Sequence, residues 1–208
     1  MQNKYSKSEN TRAKILAAAE LEFSEKGFFG ARIDEIAATS GFNKRMIYEH
    51  FESKDGLYRA VLTSVYQKLA KCESRFFVDN LEPTLAIKNI VYVYFRFLEE
   101  EPSFVRMLMW ENLNNAKCIS PEEIRALKEP TINYIKEQIS RGKEQGIFKE
   151  EIDEYQIVVS LMNFGFSYFS NIHTLSAIFG KNMSDSAEIV KRSDFVSNMI
   201  LEHLLKNN

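Results

Sequence analysis

The chain has 208 residues, 45% of them apolar and 12% aromatic, which is enough to bury a substantial core and excludes a disordered chain. Its net charge of -2 excludes recognition of nucleic acid by bulk positive charge, and within residues 1–55 nine Lys/Arg balance nine Asp/Glu. Any nucleic-acid surface must therefore come from where the charges sit.

Residues 1–8 read as a polar arm carrying Lys4 and Lys7, disordered off DNA and available to phosphate. Asn10 or Thr11 begins a helix whose apolar stripe is Ile15, Leu16, Ala19 and Phe23; Gly27 stops it and Phe28 packs back on its last turn. Two short helical patterns follow, one with Ile33, Ile36 and Ala37 and one with Ile47 and Phe51, around the break Ser40-Gly41-Phe42-Asn43. Gly41 suits the left-handed conformation that ends a helix, and Asn43 has the short polar side chain that caps the next. Such a sharp turn makes a helix-turn-helix, a motif that delivers its second helix into a DNA major groove.

Ser53 caps a long helix from Gly56 to about Asn80 with Leu57, Val61, Leu62, Val65, Leu69, Cys72 and Phe76 on one side. Pro83 and Pro102 bracket a helix over 84–100, with Ile87, Val91, Tyr94, Phe95 and Leu98 at helical spacing. The run 103–114 is apolar nearly all round, so it is expected inside the domain. Ser120-Pro121-Glu122-Glu123 is a strong helix start, and Pro130 is expected to kink or interrupt that helix before it ends near Gly146. Residues 153–179 are the most apolar segment, and 184–205 close the chain as an amphipathic helix. No stretch alternates at period two for long enough to argue a sheet. The expected fold is all-α with about nine helices, no membrane span, and, from its two distant cysteines and lack of a signal-like N-terminus, a reducing cytoplasmic setting.

The runs TRAKILAAAELEFSEKGF and IDEIAATSGFNKRMIYEHFESKDGLY together resemble the N-terminal domain of TetR-family transcriptional regulators, through the Ile-Leu-x-Ala-Ala first helix, the Ile-Ala-x-x-x-Gly turn and the Tyr-x-x-Phe-x-x-Lys ending. The likeness covers residues 11 to 58 and keeps its spacings over three helices, which makes it more specific than a single motif. It implies a three-helix DNA-binding domain over 1–55, a ligand-binding and dimerisation domain over 56–208, and a homodimeric repressor released from a near-palindromic operator in double-stranded DNA by a small effector. The DNA-facing residues are then Arg32, Asn43, Lys44, Arg45, Met46, Tyr48, His50 and Lys54, with His50 equally readable as a histidine wedged between helices. The chain departs from the family at Ala31 and Arg32, where Thr or Ser is usual; Gly30 is expected to cap the second helix instead, and Arg32 to supply a phosphate contact. Arg45 and Met46 also stand where small residues are common, so base preference is expected to be this chain's own.

In the second domain aromatic and Met residues cluster, and polar groups interleave with them on apolar helices, where a buried amide or imidazole needs a partner. Met107, Trp110, Tyr134, Asn163, Phe166, Ser167 and His173 are the candidate ligand contacts, for an apolar-to-aromatic compound with few polar anchors. Most of the cluster is equally accounted for by core and dimer seam, and Gly165 would allow close helix approach at that seam. Three histidines, none at metal-ligand spacing to another, and no CxxC, HExxH or phosphate-cradling glycine loop leave catalysis, a metal or a cofactor without support. The rival reading is a helical small-molecule sequestering protein with a vestigial DNA motif, favoured by the balanced charge and the missing hydroxyls at residues 31 and 32.

Overall fold

The computed structural model describes residues 2–78 and 80–206, with the side chains of residues 2–7 outside that description. Ten helices make up the fold among the described residues: α1 (Gln2–Gly30), α2 (Ile33–Ser40), α3 (Lys44–Phe51), α4 (Lys54–Ser74), α5 (Pro83–Glu100), α6 (Pro102–Leu113), α7 (Pro121–Glu144), α8 (Glu154–Ser170), α9 (Ile172–Phe179) and α10 (Ser186–Leu204). The chain divides into two compact units, residues 1–67 with 103–124, and residues 68–102 with 125–208.

In the first unit Ile15, Ala19 and Phe23 of α1 are buried with Ile36 of α2, Ile47 and Phe51 of α3, and Leu57, Tyr58 and Val61 of α4. Burying each of the large ones contributes roughly 1.5–3 kcal/mol. The Phe23 and Tyr58 rings meet edge to face with centroids 5.0 Å apart, the geometry aromatic quadrupoles favour. Gly27 breaks the helical run with φ 66, as expected, and one further turn leads to Gly30. The helix extends back to Gln2 where a disordered arm was expected; the side chains of Lys4 and Lys7, and any phosphate contact of theirs, lie outside the described residues. α6 also belongs to this unit. It is less enclosed than its composition suggests: Phe104, Val105 and Met107 are buried, but Met109 and Leu113 face solvent.

The second unit is built by α5, α7, α8 and α10, whose Ile87, Val91, Phe95, Ile135, Ile139, Val158, Leu161, Val196, Ile200 and Leu204 form one core. Ser120 and Glu123 cap the start of α7 reciprocally, each accepting the other's backbone N–H at 3.2 Å. α7 then continues as one helix through Pro130, so of the expected kink or interruption the second does not occur; the proline lacks one N–H donor, and Lys128, Thr131, Tyr134 and Ile135 around it are buried. The apolar segment 153–179 is two helices rather than one, divided at Asn171. Gly165 packs against Tyr94 of α5 within the same chain, since a Cβ there would lie 2.8 Å from the Tyr94 ring. Its small size is thus used at an internal helix crossing, not at an intermolecular seam.

Candidate nucleic-acid interface

The turn between α2 and α3 is made by the residues that the sequence singles out. Gly41 ends α2 at φ 75, ψ 17 and donates its N–H to the Ala37 carbonyl at 3.1 Å. Asn43 starts α3, its Oδ1 accepting the Met46 N–H at 2.9 Å. With Ile47 and Phe51 buried beneath it, α3 can present only its opposite side, where Lys44, Arg45, Tyr48 and Glu49 are exposed and Met46 and His50 half-exposed. The Arg45 side chain is 88% exposed, and its Nε bonds to Glu49 one turn on at 2.9 Å. Lys44 Nζ lies 2.6 Å from Asp34 of α2, and this hydrogen bond, followed by the charge of Asp34, raises the lysine's pKa. Lys44 therefore keeps its charge, and both cations rest on solvated carboxylates, partners that cost little to exchange for phosphate or a base edge.

The N-terminus of α2 differs from expectation. Its N-cap is Arg32, not Gly30, and no side chain completes the cap. Instead the Arg32 N–H donates to Glu22 Oε1 at 3.0 Å, and Glu22 also pairs with Lys26 at 2.9 Å. The Arg32 guanidinium is left on the exposed surface. At the start of α4, Ser53 Oγ accepts the Gly56 N–H at 3.0 Å, as the sequence suggests. Lys54 reaches back across the unit: Nζ donates to the Ala31 carbonyl at 2.6 Å and sits 4.9 Å from the centroid of the Phe28 ring. One of its three N–H donors is thereby used and the lysine locks the turn before α2. Arg12, which no motif marks in the sequence, lies over the Phe51 ring at 5.2 Å, adding a further cation behind α3.

The candidate ligand residues are divided between the two units. Met107 and Trp110 belong to the first unit, where Trp110 donates its ring N–H to the Ser24 carbonyl at 3.2 Å. Tyr134 is buried in the second unit, stacked on Phe77 at 4.6 Å, with no partner for its hydroxyl among the described residues. Asn163, Ser167 and His173 are exposed and Phe166 half-exposed, so the burial that makes a polar group diagnostic of a ligand is missing there. The second unit does hold a narrow cavity of about 20 Å³, room for about one water. Its walls are Ile90, Val91 and Tyr94 of α5, Thr131, Ile132 and Ile135 of α7, Val158, Leu161 and Met162 of α8, and the buried pair Lys128 and Glu73. That pair is invisible to helical periodicity, which marks both residues as ordinary surface charges.

Comparison with known proteins agrees with this architecture. Residues 15–61 match the family described as "Bacterial regulatory proteins, tetR family", and residues 83–200 match "Tetracyclin repressor-like, C-terminal domain". The HTH-type transcriptional repressor NicS of Pseudomonas putida is 31% identical over 201 residues, covering 95% of this chain and 93% of that protein. The HTH-type transcriptional regulator RutR of Escherichia coli is 25% identical over 191 residues, 90% of this chain and 87% of its own. Among solved structures, a TetR-family regulatory protein from Rhodococcus superposes with a TM-score of 0.76 at 18% identity, over 95% of this chain and 98% of the other. The chain is thus a DNA-binding transcriptional regulator with an all-α fold. It belongs to the TetR family, which is a family of regulators and not of enzymes. The match over 15–61 sets aside the reading of the first three helices as vestigial. Among the described residues no helix is long and apolar enough to cross a membrane.

Proposed function

We propose that this regulator is a homodimeric repressor that leaves its operator when a small, mostly apolar effector binds. DNA binding is assigned to residues 1–55, and effector binding and dimerisation to 56–208. Lys44, Arg45 and Met46 meet base edges, while Arg32, Asn43, Tyr48, His50 and Lys54 position the motif on the backbone. The observation that carries this is the exposed cationic tip of α3 on a turn built by Gly41 and Asn43.

A dimer is supported by the apolar side chains left at the surface of the C-terminal helices, Tyr155 and Met162 of α8, Ile178 and Phe179 of α9, and Phe195 of α10, which include the aromatic and Met types that protein interfaces favour. Twofold pairing would set two recognition helices at successive half-sites. The repressor sense follows NicS, which is named a repressor. An effector acts by binding the arrangement that does not fit DNA better than the one that does. Selection from a random duplex pool tests the reading: a recurring palindrome with half-sites about one helical turn or somewhat more apart is expected, and absence of any enriched palindrome counts against it.

A further inference from the structure

The cavity of the second unit carries a feature that packing alone does not account for. Lys128 and Glu73, with side chains only 7% and 5% exposed, form an ion pair in its wall, Lys128 Nζ lying 2.7 and 2.8 Å from the two Glu73 oxygens. Thr131 donates its hydroxyl to Glu73 Oε2 at 2.6 Å. Burying two charges costs desolvation that a hydrophobic pair of similar volume avoids, so a pair in a cavity wall is a candidate for recognition. Glu73 accepts three bonds, whereas the bonds of the Lys128 ammonium all go to that one carboxylate, which leaves at least one of its three N–H donors without an acceptor among the described residues. The remaining walls are aliphatic side chains, Tyr94 and Met162.

We infer that the effector is an uncharged, mostly apolar compound with one hydrogen-bond acceptor, a carbonyl above all, which takes the remaining N–H of Lys128. This rests on the reading of the chain as an effector-controlled regulator and names the chemical class of that effector. Charge neutrality makes the selection. The pair already cancels, so an anionic ligand on Lys128 or a cationic ligand on Glu73 brings into the cavity a charge that no further counter-charge in its wall balances. An uncharged acceptor brings none. The free volume of about 20 Å³ is too small for a compound of several heavy atoms, so binding widens the space between α5, α7 and α8. A ligand that fits only the widened form shifts the protein toward it.

Two shape-matched probe sets decide the matter by calorimetry and thermal melting of the full-length protein at neutral pH: cinnamamide, cinnamate and cinnamylamine, and hexanamide, hexanoate and hexylamine. An amide of at least one set is expected to raise the melting midpoint and to bind about tenfold or more tightly than the carboxylate or amine of the same body. In the double variant Lys128→Met, Glu73→Leu, which replaces the pair by apolar groups and so keeps the core filled, that preference should fall severalfold. A carboxylate or amine binding as tightly as its amide overturns the inference. So does failure of all six to bind, or an unchanged preference in the double variant. Should the double variant not fold, the wild-type ranking alone decides. Operator selection is independent of these probes, so a protein that selects a palindrome yet ignores all six keeps the regulator reading and loses this one.

Discussion

Arg45 and Lys54 are both cations of the first unit, and their surroundings assign them different work. Arg45 projects into solvent from the first turn of α3, held only by Glu49, so it is free to form the bidentate contact by which arginine reads guanine. Arg45→Ala should relax preference at one position of each half-site and leave non-specific affinity nearly unchanged. Lys54 is tied to the Ala31 carbonyl and the Phe28 ring, which fixes where its remaining donors point. Lys54→Ala should weaken binding to all sequences and lower the slope of affinity against salt by about one. Gel shifts on the selected palindrome and on scrambled duplex at several salt concentrations separate the two, and equal loss of specificity in both variants would contradict these roles. A third residue makes a chemical prediction. The Cys118 thiol is pushed up to about 11, by burial first and then by the neighbouring Glu111 carboxylate. At pH 7.5 only about one thiol in three thousand would then be ionised. Iodoacetamide should therefore label Cys118 far more slowly than an unfolded cysteine, and Glu111→Gln should speed the reaction. Because the folded thiol holds its proton to higher pH than the unfolded one, its contribution to stability is complete below about pH 9 and is lost as pH rises toward 11.

At the scale of helices and turns, two glycines separate backbone strain from crowding. Gly41 sits at φ 75 with nothing near a would-be Cβ, so Gly41→Ala should cost only the left-handed penalty, roughly 1–2 kcal/mol. Gly165 is helical and has no such penalty, but its Cβ would overlap the Tyr94 ring, and Gly165→Ala should cost roughly 1–3 kcal/mol by overpacking. Urea denaturation would show both as lower midpoints with unchanged slopes. The difference also explains which elements are legible in the sequence. A turn such as Gly41 to Asn43, or the Ser120 and Glu123 cap, depends on four or five adjacent residues, and local chemistry suffices to read it. The crossing at Gly165 depends on Tyr94, 71 positions away, and the exposure of α6 and the division at Asn171 depend equally on what packs alongside. The buried pair of Lys128 and Glu73 lies beyond pattern reading for the same reason: burial of a charge is decided by distant neighbours, and each residue taken alone is an ordinary surface cation or anion.

For the molecule as a whole, the C-terminal surface carries the consequence with the widest reach. Asn163, Ser167 and His173 are solvent-facing in the single chain, interleaved with the exposed Tyr155 and Met162. A surface that mixes apolar anchors with small polar groups suits a protein interface better than a core, so the apolar excess of residues 153–179 makes sense once a second copy is supplied. In a twofold interface every substitution counts twice, because the same patch contributes from both subunits. Tyr155 of α8 and Phe195 of α10, 65% and 59% exposed, contribute little to the fold of one chain, and replacing both with Glu should leave helical content intact. In the proposed dimer the same change would set several carboxylates into an apolar seam without partners, a penalty large enough to dissociate it. Sedimentation of Tyr155→Glu, Phe195→Glu at micromolar concentration should give a monomer where the parent gives a dimer. Operator affinity should fall with it toward that of a single half-site, although every residue of α3 is unchanged. A folded double variant that remains dimeric would move the interface to another face, and one that is monomeric yet binds the full palindrome undiminished would remove pairing from the mechanism.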